Sequence, residues 1–289
     1  MSTASAADDH AYCADLVRNG DPDRFACLML APAKARANLC ALYAFNLEVS
    51  RTREAVREAL LGEIRLQWWR DAIGECFDGT PRRHQVVQPL KMAIDGSGLP
   101  RDMLERVVDA RAADLYPEPP ANAAALEKYI GETGGLIGVL ATRCVLGPDI
   151  GEGQLSAAHL VGRAWAWTGL ARGLVALHRQ GRHIVPPDII AAYPGWQDEL
   201  DTGQIGNGVR TVVRHFSEQA ESCLSEWRMV KSDAGDPADL HVNGIAILAS
   251  RYLRRLEKAG YDPSKPGCAQ MGAGARAWHL LPVGLRSGS

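Results

Sequence analysis

RANLCALYAFNLEVSRTREAVREALLGEIRLQWWRDAI, residues 36–73, is the stretch whose reading decides the fold. Leu39, Leu42, Tyr43, Asn46, Val49, Arg53, Val56 and Leu60 recur at steps of three and four, which places them on one face of an α-helix. That face is apolar except at Asn46 and Arg53. On neighbouring faces Ser50, Arg51, Glu54, Arg57 and Glu58 form a charged turn, with Arg51 and Glu54 spaced to pair across one turn. Gly62 offers a kink or a restart, after which Leu66, Trp69, Ile73 and Phe77 carry a new apolar face into the turn at 78–81.

Working outward from this helix, the same period recurs along the chain. A tail over residues 1–10 precedes a short helix that Asn19-Gly20 ends. Asp21 then caps a second helix with Pro22 at its first position, where a missing N–H costs nothing. Ala31-Pro32 breaks that helix and starts the long one. Helices are expected over 88–94, from Pro100 onward, 126–146, 155–178, 209–229 and 237–258, with a last partial helix over 277–285. Glycines 131, 134, 135 and 138 loosen the helix over 126–146, which fits close approach of another backbone or of a ligand. IVPPDII, residues 184–190, reads as an extended segment, and Tyr193-Pro194-Gly195 as a loop. Strand-like alternation is absent over any useful length. The expected fold class is all-α, in a single helical domain over residues 11–289.

Composition narrows the function classes. With 32 basic and 34 acidic residues the formal charge is -2, which argues against a general nucleic-acid binder. The seven cysteines are dispersed, without a C-x-x-C pair, and read as buried free thiols in a reducing compartment. No apolar run follows Met1 as in a signal peptide, and none approaches the roughly 18 residues of a membrane span. The expected location is cytoplasmic, with peripheral contact at the inner membrane face left open. Trp68-Trp69 and Trp165-x-Trp167 are spaced as fillers between helices, although adjacent tryptophans point to different faces. His178 and His183 lack a third ligand nearby for a zinc site.

Three segments, APAKARANLCALYAF, LEKYIGETGGLIGVL and GRHIVPPDI, occur in the order and spacing of the squalene/phytoene synthase family, which the chain resembles over roughly residues 21–285. The resemblance implies a single isoprenoid-synthase fold, with helices around a central apolar cavity. It also implies two aspartate-rich motifs on facing helices that hold magnesium against a prenyl diphosphate, because a diphosphate leaving group calls for hard cations and those for clustered carboxylates. The first motif, approximately C-R-x-x-D-D-x-x-D, falls on Asn46 to Glu54 here, so that Ser50, Arg51 and Glu54 stand at the aspartate positions. The second, approximately R-D-x-x-x-D, falls on Arg172 to Leu177, with Gly173 and Leu177 at the aspartate positions. A family Ser-x-Ser-Phe element is Pro22-Asp23-Arg24-Phe25. No catalytic residue or metal ligand is assigned.

Within the family, the chain is similar to a branch associated with building respiratory complex I, the NADH:quinone oxidoreductase, through Ala41 to Glu48, Gln67-Trp68-Trp69 and the His178 to Arg182 turn. The leading expectation is a pseudoenzyme: an assembly factor that works with complex I subunits or assembly intermediates and needs no cofactor. The alternatives are an active prenyl transferase acting on farnesyl or geranylgeranyl diphosphate with magnesium, and a carrier of an isoprenoid or anionic lipid. Tyr43, Asn46, Tyr129, Arg172, His178 and Arg182 are the candidates for lining a pocket or receiving a diphosphate or lipid head group. Core packing accounts equally for Tyr43 and Asn46, and a solvated loop for the basic turn.

Overall fold

The computed structural model describes residues 6–56, 58–193, 195–230 and 239–285, and within them every regular element is helical. The first boundaries follow local chemistry. Helix α1 spans Ala6–Gly20, and α2, Pro22–Leu28, opens where the Asp21 side chain accepts from the Arg24 N–H with Pro22 in the first turn. The tail expected over residues 1–10 is corrected, because α1 already begins at Ala6 and buries Asp9 in an ion pair with Arg83.

Helix α3, Ala33–Ser50, buries Leu39, Leu42, Tyr43, Asn46 and Val49 as its sequence period requires. The expected continuation of this helix through Leu60 towards Gly62 fails. A single turn α4, Thr52–Ala55, ends in extended backbone at Val56, and α5 runs separately over Ala59–Phe77. Register explains the break. At about 100° per residue, Trp69 would lie roughly 200° from Val49 on one continuous helix, so the two could not face the same core. Breaking the helix lets α5 bury Leu66, Trp69, Ile73 and Cys76, while Leu60 is left 68% exposed.

Helices α6 (Val87–Ser97) and α7 (Arg101–Ala110) follow, with Gly98 supplying the left-handed cap between them at φ 61°. A 3-10 turn, Arg111–Leu115, leads to α8, Ala123–Ile130, and then to a π-turn over Gly131–Gly135 and α9, Leu136–Leu146. The long helix α10, Glu152–Arg179, crosses this stretch at backbone contact. A Cβ on Gly134 would sit 2.6 Å from the Gly162 carbonyl oxygen, and one on Gly138 only 2.3 Å from that of Ala158. Backbone approach, rather than a ligand, accounts for these glycines.

IVPPDII is only partly extended, since Pro187 opens the short helix α11, Pro187–Ala192, and α12, Trp196–Asp201, follows it. Helix α13, Asn207–Val230, packs along α10, and α14, Asp239–Lys258, and α15, Ala273–Leu285, complete the layer. The expected start of α14 at 237 lies outside the described residues. Two apolar cores result. One joins α1, α3, α5, α6, α7 and α9 around Phe45, Trp69 and Ile73. The other joins α8 and α10–α14, with Leu280 of α15, around Trp167, Phe216 and Tyr252. Trp69 and Trp167 are buried fillers, and all seven cysteines are buried and free.

Candidate functional site

Where the two cores meet, α3, α9, α10 and α14 enclose the centre of the molecule. Tyr43, Ile137, Val161, Trp165, His241 and Ile245 line what remains of an interior cavity, about 20 Å³. That is room for one water molecule. A site enclosing a chain-like ligand takes on the order of 300 Å³ or more. Tyr43 and His241 share a hydrogen bond of 2.6 Å there, buried from solvent. Burial raises the Tyr43 hydroxyl well above its ordinary pKa, and burial, aided by Arg24 and partly offset by a backbone hydrogen bond at Cys27, lowers His241 to about 4. At neutral pH the pair is a neutral hydrogen bond inside the core. Asn46 is buried on the same helix.

Beside this centre lies a buried ionic hub. Asp23 of α2 accepts at Oδ2 from Arg172 Nη1 (3.2 Å) and the Tyr252 hydroxyl (2.8 Å), and at Oδ1 from Arg276 Nη1 (3.2 Å). The Tyr252 oxygen in turn accepts from the Met271 N–H at 2.8 Å, and Arg276 also donates to the Met271 carbonyl at 3.0 Å. The Arg172 guanidinium lies 3.7 Å from the centroid of the Tyr252 ring. Arg172, expected as a receptor for a ligand phosphate, is thus already bound to a carboxylate of its own chain. Asp23 read only as an altered Ser-x-Ser-Phe position, yet it ties α2, α10, α14 and α15 together. Its partners lie 149, 229 and 253 residues away in sequence.

A second hub forms at the end of the 3-10 turn. Asp114 accepts from Arg182 Nη2 (2.6 Å) and the Tyr129 hydroxyl (2.8 Å) at Oδ1, and from Arg111 Nη1 (3.2 Å) at Oδ2. Arg111 also donates to the Tyr129 oxygen at 2.7 Å. Tyr129 and Arg182, two of the candidates, are thus brought together around an aspartate that the sequence did not single out. This hub borders a pocket of about 400 Å³, walled by Leu126, Leu170, Ile184, Pro119 and Pro120, with Glu118 and His183 at its edge.

The remaining candidates disperse. His178 is held by Asp201 at 2.6 Å, joining α10 to α12, so the basic turn does not form one receptor. Arg51 donates to the Gly20 carbonyl at 3.1 Å instead of pairing with Glu54, which is exposed. The Ser50 hydroxyl donates to the Leu47 carbonyl. Leu177 is partly buried against the second core, and a Cβ on Gly173 would touch only the Leu177 side chain, at 3.6 Å.

A search with family models matches the description "Squalene/phytoene synthase" over residues 17–273. The chain belongs to the squalene/phytoene synthase family. The rat protein "NADH dehydrogenase (ubiquinone) complex I, assembly factor 6" is 27% identical, covering 96% of this chain and 81% of that protein. A "Phytoene synthase" of Thermus thermophilus is 24% identical, covering 81% of this chain and 78% of that protein. Among solved structures, a dehydrosqualene synthase superposes with a TM-score of 0.80 at 15% identity, covering 98% of both chains, which establishes the isoprenoid-synthase fold.

Magnesium, which the family resemblance implies, does not fit the residues at the motif positions. Glu54 is their only carboxylate, Arg51 is a cation, and Gly173 and Leu177 offer no side-chain oxygen. Among the described residues no group of three or more His, Cys, Asp or Glu is placed to hold a metal ion. No reaction step is derived through one.

Proposed function

We propose that this chain is a non-enzymatic assembly factor for respiratory complex I, a family member that keeps the isoprenoid-synthase scaffold and has lost both aspartate-rich motifs. The observation that carries the reading is an interior whose cations are already engaged: Asp23 occupies Arg172 and Arg276, and the adjoining cavity holds about 20 Å³. Two guanidiniums and a tyrosine hydroxyl converge there on a carboxylate of the chain. A diphosphate would have to displace that carboxylate and open space for its chain. The rat protein's name, together with its match along most of both chains, supports complex I as the client. Purified protein incubated with farnesyl or geranylgeranyl diphosphate and magnesium is expected to release no diphosphate above a blank. Deletion in the host organism is expected to lower complex I activity while leaving isoprenoid products unchanged. Normal complex I in the deletion strain overturns the reading.

The pocket beside Asp114 favours a second reading, an isoprenoid or anionic-lipid carrier, because it pairs apolar walls with the Arg182 and Tyr129 polar edge in about 400 Å³. Native mass spectrometry of protein taken from its host tests it. A co-purifying amphiphile lost in Arg182→Ala supports it, and an empty pocket under gentle conditions rules it out.

A further inference from the structure

Helix α15 exposes a face that a surface helix ordinarily makes polar. Ala277, Trp278, Leu281 and Pro282 are all exposed, Trp278 at 73% and Leu281 at 53%, while Arg276 and Leu280 on the other side pin the helix to the body. The apolar surface does not stop at the helix. Between α15 and α2 runs a groove of about 550 Å³ lined by Phe25, Ala26, Leu30, Ala277 and Leu281, and Met29 beside it is 46% exposed. A contiguous apolar patch of this kind on a monomer marks a contact surface.

Charge selects the occupant. From Pro263 to Ser289 the sequence contains no Asp or Glu, whereas Lys265 and Arg286 fall in it beside Arg276, which Asp23 holds, in a chain whose formal charge is -2. Arg251 and Arg255 of α14 lie close enough to His279 of α15 to add to burial in lowering its pKa. Arg36 donates to the Met29 and Ala31 carbonyls, which sets another cation beside the exposed Met29. The carboxylates on this side are already taken: Asp15 by Arg18, Asp21 by Arg24, and Asp23 by its hub.

A second exposed apolar cluster differs in this respect. Leu60, Leu61 and Ile64 at the start of α5 are exposed, but Glu54, Glu58 and Glu63 alternate in sequence there with Arg51, Arg53, Arg57 and Arg65, so the stretch carries both signs of charge. An anionic surface would be drawn more to the acid-free α15 face than to the mixed α5 face.

We infer that the α15 face, with the α2 groove, docks this protein on an anionic lipid bilayer, Trp278 and Leu281 entering the head-group layer and the flanking arginines meeting lipid phosphates. Among the described residues no helix is long and apolar enough to cross a membrane, so the contact proposed is interfacial. The inference does not rest on the assembly-factor reading.

Flotation of the full chain with vesicles tests it, using phosphatidylcholine alone or with about 30% phosphatidylglycerol. The wild-type chain is expected to float with the anionic vesicles, and to be released by about 0.5 M salt. Trp278→Glu with Leu281→Glu is expected to cut the bound fraction about tenfold or more at an unchanged unfolding midpoint. Met29→Glu is expected to weaken binding, and Leu60→Glu to leave it unchanged. Equal binding of the doubly substituted chain, no flotation of the wild type, or loss of binding in Leu60→Glu overturns the proposal. Self-association through α15 without lipid also overturns it, in favour of a second copy as the occupant.

Discussion

Asp23 and Asp114 head two hubs of nearly the same composition, each a single buried carboxylate holding two arginines and one tyrosine hydroxyl. Their surroundings differ. The Asp23 hub lies between α2, α10, α14 and α15, and Tyr252 is fully buried. The Asp114 hub edges a pocket of about 400 Å³. The same set of charges therefore acts as a structural tie in one place and as a pocket edge in the other. The difference lies in what else can solvate the guanidiniums if the carboxylate goes.

That contrast predicts unequal costs for the same substitution. Asp23→Ala strands Arg172, which stacks on the buried Tyr252 ring, and leaves Arg276 at the edge of the α2–α15 groove, and is expected to destabilise the fold by about 3–5 kcal/mol in a urea titration. Asp114→Ala leaves Arg182 beside a pocket that water can enter, and is expected to cost less, about 1–3 kcal/mol. Equal losses would mean that the pocket edge is as sealed as the interior.

Neither hub was legible in the sequence as a hub. Local signals did predict local structure. Asp21 and Pro22 marked the start of α2, and the glycines at 131, 134, 135 and 138 marked a close approach of another backbone or of a ligand, which at Gly134 and Gly138 is backbone. Arg172 and Arg182 stood out as basic residues able to receive a phosphate and Tyr129 as a pocket candidate, but their carboxylate partners come from distant segments that no short spacing reveals. Asp23 looked like an altered motif position, and nothing in the sequence singled out Asp114. The break after Ala55 was a different omission. The phase of Trp69 relative to Val49 carries it, yet the one local signal, Gly62, falls inside α5 rather than at the break after Ala55.

The neutral Tyr43–His241 pair sharpens the comparison by giving the interior a pH response distinct from that of the hubs. His241 is lowered to about 4 in the folded protein, against an ordinary value of 6.5. Between those values the unfolded chain binds the extra proton, so this contribution to stability is complete above about pH 6.5 and declines as pH falls towards 4. The expected slope is at most about 1.4 kcal/mol per pH unit. Denaturant titrations between neutral pH and pH 4.5 should show this part of the slope vanish in His241→Gln. A slope unchanged in that variant would assign the acid sensitivity to carboxylates instead.

The smallest expected effect separates the hubs by their tyrosines. The Tyr252 hydroxyl donates to Asp23 and accepts from the Met271 N–H, so Tyr252→Phe leaves a buried amide N–H without its partner. A loss of about 1–2 kcal/mol is expected. The Tyr129 hydroxyl makes the corresponding pair of bonds, to Asp114 and from Arg111, but Tyr129 and Asp114 both border the pocket. Water entering there can replace a hydroxyl at little cost. Tyr129→Phe is therefore expected to lose about 0.5–1 kcal/mol by thermal or urea unfolding. If it instead matches Tyr252→Phe, the polar edge of the pocket is dry, and both hubs serve chiefly to hold helices together. If it is nearly neutral, the Asp114 carboxylate is wet enough to exchange its partners with a ligand, as the lipid-carrier reading requires and the Asp23 hub does not permit.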